Sequence, residues 1–86
     1  MKVVLPTALA EYTGRRREVE AHGATLGALL DDLDRRFPGL RFRVIDEQGA
    51  VRAHIKIFVN RLLEASLARA LAPGDEVLVV AALSGG

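Results

Sequence analysis

TLGALLDDLDRRF, residues 25–37, carries the clearest periodicity in this chain. Leu26, Leu29, Leu30, Leu33 and Phe37 recur at helical spacing and form one continuous apolar stripe. Thr25 stands before the first leucine as an N-cap, its hydroxyl placed to accept from an unpaired N–H of the first turn. Asp31 with Arg35 and Asp32 with Arg36 are acid-first pairs one turn apart, each worth about 0.3 kcal/mol. Pro38 and Gly39 stop the helix. The stripe turns Asp31, Asp32 and Asp34 toward solvent, as a charged face rather than an acid–base pair. A helix with a single apolar stripe needs a sheet to lie on.

The flanking sequence supplies strands. Val3 and Leu5 alternate with Lys2, Val4 and Pro6, so residues 2–6 read as a strand. Thr7 to Arg16 reads as a loop containing Gly14. RREVEA, residues 16–21, turns Val19 and Ala21 inward and Glu18 and Glu20 outward, completing a hairpin. After the helix, RFRVI (41–45) and VRAHIKIFV (51–59) read as strands. The Asp46-Glu47-Gln48-Gly49 turn between them has a glycine available for positive φ. Val51, Ala53, Ile55, Ile57 and Val59 form the inward set of the longer strand, which leaves Phe58 outside.

Residues 60–72 fit two readings. Leu62, Leu63, Leu67, Ala70 and Leu71 suit a short helix, and an irregular loop with one turn suits the stretch equally. Pro73-Gly74-Asp75 breaks whatever precedes it. Glu76 to Ala82 is the last strand, rich in valine and apolar on both faces, as a central strand is. The predicted order is strand, strand, helix, strand, strand, strand. This is an α+β fold in which one sheet wraps a single main helix, and the β-grasp is the known arrangement that matches it.

Composition narrows the function. The chain has 86 residues, half of them hydrophobic and 27% charged, which suits one globular domain with a modest core. Twelve basic and eleven acidic residues leave a formal charge of +1, and no overall field favours nucleic acid or a membrane surface. MKVVLPTALA has a lysine before an apolar run, but Pro6 interrupts it early, and a strand is the better reading than a secretory signal. The longest apolar run, Val77 to Leu83, is far short of the ~20 residues that span a bilayer. These features predict a cytoplasmic protein.

The residues for side-chain catalysis are missing. Without cysteine there is no thiol nucleophile, disulfide or thiolate metal site. His22 and His54 are the only histidines, and no spacing gathers carboxylates about a metal. Gly23 and Gly27 flank the helix start, but a phosphate loop would also need its lysine and Ser/Thr. Arg15-Arg16-Arg17 is a tight basic run, readable as a solvated turn or as a contact for an acidic partner. The sequence predicts no enzyme, no bound cofactor and no metal.

The end of the chain is unusual by contrast. LVVAALSGG runs from a central strand straight into two glycines, with no linker. From Ala82 to Gly86 the tail reaches about 14 Å at full extension. Gly85 and Gly86 lack Cβ atoms, so they can thread a channel too narrow for other residues.

GDEV at 74–77, the valine-rich strand after it, the terminal Gly-Gly and IFVN at 57–60 together resemble the MoaD/ThiS ubiquitin-like sulfur carriers. FPGLRFRVIDEQG at 37–49 and EYTG at 11–14 also resemble bacterial members, so the likeness covers essentially the whole chain. The resemblance implies a single β-grasp domain over 1–86, with a flexible tail at 83–86. It implies that an E1-like activating enzyme uses ATP to adenylate Gly86, which a sulfur donor converts to a thiocarboxylate, with Gly85 keeping the tail slender. A sulfur-accepting synthase subunit would then take the sulfur. The destination implied is molybdopterin biosynthesis, with cysteine or thiazole synthesis and ubiquitin-like protein modification through Gly86 as the other readings. Family members dock through an apolar patch near the tail. The matching positions are Pro6, Leu63 and Val80, with Leu83 and Ser84 in the tail itself, and strand alternation adds Phe58 and Leu78. Arg61 stands where many members carry glycine, and Ala81 stands where proline is common.

Overall fold

The computed structural model describes residues 1–82. In chain order its elements are β1 (Lys2–Val4), a 3₁₀ segment (Thr7–Thr13), β2 (Glu18–Glu20), α1 (Leu26–Arg36) and α2 (Leu40–Val44). Then follow β3 (Ile55–Val59), β4 (Leu62–Glu64) and β5 (Glu76–Ala81). The strands form one sheet in the order β2-β1-β5-β3-β4. β1 and β5 run parallel, and the other neighbours are antiparallel. The sheet is therefore mixed and carries one main helix, as the β-grasp reading requires. β5, apolar on both faces, is indeed its middle strand.

α1 forms where its stripe predicts. Leu26, Leu29, Leu30 and Leu33 are fully buried, and Thr25 accepts from the Ala28 N–H as an N-cap. The opposing sheet face contributes Val3, Val19, Ile55, Ile57, Val59, Val77 and Val79. Two further α1 donors find acceptors in another segment. The Leu26 N–H donates to the Arg69 carbonyl at 2.9 Å and the Gly27 N–H to the Leu67 carbonyl at 2.8 Å. First-turn N–H groups have no partner inside their own helix, so this loop caps α1 through its backbone.

Several elements differ from the sequence reading. RFRVI is helix rather than strand: Gly39, at φ 94°, opens α2, and Leu40 and Val44 bury one turn apart. The Asp46–Gly49 turn exists, with Gly49 at φ 82°, but it leaves a lone Ile45–Val51 bridge instead of a hairpin. β3 accordingly begins at Ile55, Val51 is only partly buried and Ala53 is exposed. Thr7–Thr13 coils into a 3₁₀ segment that Gly14 closes in the left-handed region. Residues 60–72 form neither a helix nor simple loop, because Asn60 and Arg61 turn the chain back into β4 against β3.

The acidic face of α1 also departs from expectation. Asp32 is buried, at 6% exposure, where its carboxylate accepts the His22 N–H at 2.9 Å and pairs with Arg35 and Arg36. Asp31 pairs with Arg41 of α2 at 3.0 Å rather than with Arg35. Asp34 accepts the backbone N–H groups of Gly39 and Arg41, both at 3.1 Å, and so fixes the start of α2.

Candidate functional site

Strand alternation sends Val3, Val77, Ile57 and Val59 into the core and their neighbours to the other face of the sheet. Cross-strand register then aligns those neighbours. Val4 pairs with Leu78, Leu78 with Phe58, and Phe58 with Leu63. Four apolar side chains thus form one row across β1, β5, β3 and β4, about 14 Å long at ordinary strand spacing. Val4, Leu78 and Phe58 are half-buried, and Leu63 is 62% exposed. Val80 is one outward-facing position further along β5, opposite Lys56, and is also exposed.

The two ends of this face differ. At the start of β5, Lys2 bridges Glu18 at 3.8 Å and Glu76 at 3.1 Å, an ion-paired border. Hydrogen bonding and the charge of both glutamates raise the Lys2 pKa. At the other end Pro6, Leu78 and Val80 help line an open cleft of about 810 Å³ around the last residues of β5. The 3₁₀ segment forms one wall, and α2 with the 52–54 turn forms the other. The Ala82 N–H donates to the His54 carbonyl at 2.8 Å, so the chain is pinned to its neighbour through the last described residue.

All the docking positions named from sequence within the described residues, Pro6, Phe58, Leu63, Leu78 and Val80, belong to this face or its cleft border. Leu83, Ser84, Gly85 and Gly86 lie outside the described residues. Sequence reasoning missed Val4, although the alternation that selected Leu78 selects it equally. It also missed Phe42 and Arg43 in the cleft wall, because reading RFRVI as a strand hid them, and Arg52, because the next strand was read from Val51 rather than from Ile55. His22 and His54 are both exposed. Among the described residues no cluster of His, Asp and Glu could hold a metal, and no helix is long and apolar enough to cross a membrane.

Residues 3–86 match the model of the ThiS family. This chain belongs to the ThiS family. The sulfur carrier protein CysO of Mycobacterium tuberculosis is 36% identical over 89 residues, covering 98% of this chain and 96% of that protein. Its crystal structure superposes with a TM-score of 0.89 at 34% identity, covering 95% of this chain and 98% of that one. Small archaeal modifier protein 1 of Haloferax volcanii is 39% identical over 80 residues, covering 91% of each chain. The CysO of Amycolatopsis orientalis, solved in a complex with BexX, superposes with a TM-score of 0.87 at 31% identity, covering 99% and 98%.

Membership makes this ThiS-family chain a ubiquitin-like carrier and not an enzyme in its own right. The relatives above are named as CysO carriers and as a modifier, and none of those names specifies molybdopterin.

Proposed function

We propose that this ThiS-family protein carries sulfur as a thiocarboxylate on Gly86. The observation that carries the reading is a family match that continues through the last residue, Gly86. A Gly86 carboxylate oxygen attacks the α-phosphorus of ATP on an activating enzyme, and pyrophosphate leaves. A hydrosulfide equivalent then attacks the acyl carbon and AMP departs, leaving sulfur in place of oxygen. Gly85 keeps the approach narrow, with Leu83 and Ser84 leading to it.

The row of Val4, Leu78, Phe58 and Leu63, with Pro6 and Val80, is the surface that activating enzyme and sulfur acceptor grip in turn. An apolar patch that reaches the end of β5, shortly before Gly86 in the sequence, suits that use. A cytoplasmic setting accompanies this reading, since ATP and the activating enzyme are needed there. For the destination, likeness to CysO favours a cysteine-forming synthase over molybdopterin or thiazole formation.

A second reading has its own support. The 39% identity to a small archaeal modifier favours conjugation of Gly86 to lysines of other proteins. Mass spectrometry separates the two after incubation with activating enzyme, ATP and a sulfur donor. A carrier gains the mass difference of sulfur over oxygen, and a modifier yields isopeptide adducts.

A further inference from the structure

Three arginines converge on the cleft at the end of β5, each from a different segment. Arg17 follows the 3₁₀ segment, Arg43 belongs to α2, and Arg52 precedes β3. Each is held through Nε. Arg17 donates to the Leu5 carbonyl at 3.3 Å, Arg43 to the Tyr12 hydroxyl at 2.6 Å, and Arg52 to the Phe42 carbonyl at 2.7 Å. Arg52 also lies over the Phe42 ring, 4.5 Å from its centroid, and Arg43 lies over Tyr12 at 5.9 Å. These anchors fix the guanidinium planes and leave their terminal N–H groups for a forked acceptor.

Among the described residues, none of these arginines forms an ion pair. Arg35 and Arg36 pair with Asp32, Arg41 with Asp31 and Arg69 with Glu64, whereas Arg15, Arg16, Lys56 and Arg61 are outside these pairs too but do not line the cleft. Among the described residues Glu11 is the one carboxylate in the cleft lining, and it is exposed. A cleft with three fixed, unpaired guanidinium groups and one carboxylate is complementary to negative charge. It is also continuous with the apolar face, because Pro6, Leu78 and Val80 line it too.

We propose that this cleft docks an acidic segment of the protein partner that receives the tail, with Asp or Glu carboxylates forked on Arg43 and Arg52. This rests on the reading that a partner grips the sheet face. The arrangement orients the partner so that its acidic segment meets the root of the tail, and charge steers the encounter. A segment of protein fits better than nucleic acid, since the three cleft arginines border an apolar surface on a chain of net charge +1.

An amide NMR titration with a hexaglutamate peptide tests it, with hexaglutamine as the uncharged control. Saturable shifts are expected at Arg17, Arg43, Arg52 and His54 with the glutamate peptide alone, lost at about 0.5 M salt. Arg43→Gln and Arg52→Gln should each abolish them, whereas Arg61→Gly, which removes the same charge from the distant hairpin, should not. The salt dependence in the unsubstituted protein decides the matter should either glutamine variant fold poorly. Absence of saturable shifts, or equal loss with Arg61→Gly, overturns the proposal. With an activating enzyme, Arg52→Gln should raise KM about tenfold and leave kcat unchanged. An unsubstituted chain that never acquires sulfur would refute the carrier reading, while the peptide result would still decide the cleft.

Discussion

Leu78 of β5 and Phe58 of β3 stand opposite each other in register, on the face of the sheet turned away from α1. Their inward neighbours Val77, Val79, Ile57 and Val59 are all in the core. One strand pair therefore builds the core with one face and an open apolar surface with the other. Leu63 extends that surface at its most exposed point. Leu63→Asp should change folding stability by no more than about 0.5 kcal/mol, as exposed substitutions do. It should weaken binding of the activating enzyme at least about tenfold, because a charge would be buried in an apolar contact. Calorimetric titration beside thermal unfolding checks both; unchanged affinity would remove the sheet face from the docking site.

Arg61 offers a gain in stability. Asn60 and Arg61 both have positive φ, 51° and 72°, in the two-residue turn between β3 and β4. That conformation suits hairpin twist and favours Asn followed by Gly. Asn60 is held in place, with its amide donating to Asp75 at 2.9 Å and its oxygen accepting the Glu76 N–H at 3.0 Å. Arg61 carries the steric cost of a Cβ in the left-handed region. Arg61→Gly should stabilise the fold by about 0.5–1 kcal/mol, reduced from the full cost by glycine's freer unfolded chain. Urea unfolding measures this directly.

Gly23 is the converse. A Cβ there would stand 2.3 Å from the Leu29 backbone nitrogen, where no flexible side chain can yield. The chain leaving β2 crosses the first turns of α1 at this point. Gly23→Ala should destabilise by about 1–3 kcal/mol, the range for overpacking a close contact. A lowered urea midpoint with an unchanged slope would show it.

Asp32 makes stability depend on pH. Its pKa is lowered chiefly by the hydrogen bond from the His22 N–H, and also by the hydrogen bond and charge of Arg36 and the charge of Arg35; burial opposes them. A folded pKa below the unfolded value gives stabilisation that is complete above the ordinary carboxylate range and lost as pH falls through the folded pKa. Asp32→Asn should therefore be less stable than the unsubstituted protein near neutrality, by about 1–3 kcal/mol for a buried hydrogen-bonded group. The gap should close on acidification. Asp46, Glu64 and Asp75 also have lowered pKa values, held down mainly by backbone hydrogen bonds, and they remain in both proteins. The difference between the two unfolding curves thus isolates Asp32.

The sequence was most legible where a period ran long enough to be distinctive. Five apolar positions over residues 26–37 defined α1, and alternation through Ile55, Ile57 and Val59 defined β3 and left Phe58 outside. Over 41–45 the two periods coincide, since Leu40 and Val44 fit both strand alternation and helical spacing. The left-handed Gly39 and the acceptor Asp34 settle that stretch as α2. Residues 65–71 owe their course to tertiary partners, because the carbonyls of Leu67 and Arg69 are engaged by the start of α1. Asp32 lies beside the stripe, three residues after Leu29, and its burial depends on a donor ten residues upstream, which helical periodicity cannot register.

Phe58 and Leu78 of the apolar face followed from alternation, and Pro6, Leu63 and Val80 from the family resemblance, but the basic cleft followed from neither. Arg17, Arg43 and Arg52 are scattered in sequence and meet only because the 3₁₀ segment, α2 and the turn before β3 surround the end of β5. Arg17 belongs to the basic run Arg15-Arg16-Arg17. Its partner Arg43 was concealed by the wrong element at 41–45, and Arg52 by the overlong strand read from Val51.

The carrier reading places all reactivity on the acyl group of Gly86. Intact-mass measurement after incubation with activating enzyme, ATP and a sulfur donor tests it most directly. A mass increase equal to sulfur minus oxygen, localised to a C-terminal fragment containing Gly86 and absent when Gly86 is deleted, is the predicted result. An unchanged mass with an enzyme that loads another ThiS-family carrier under the same conditions would contradict it.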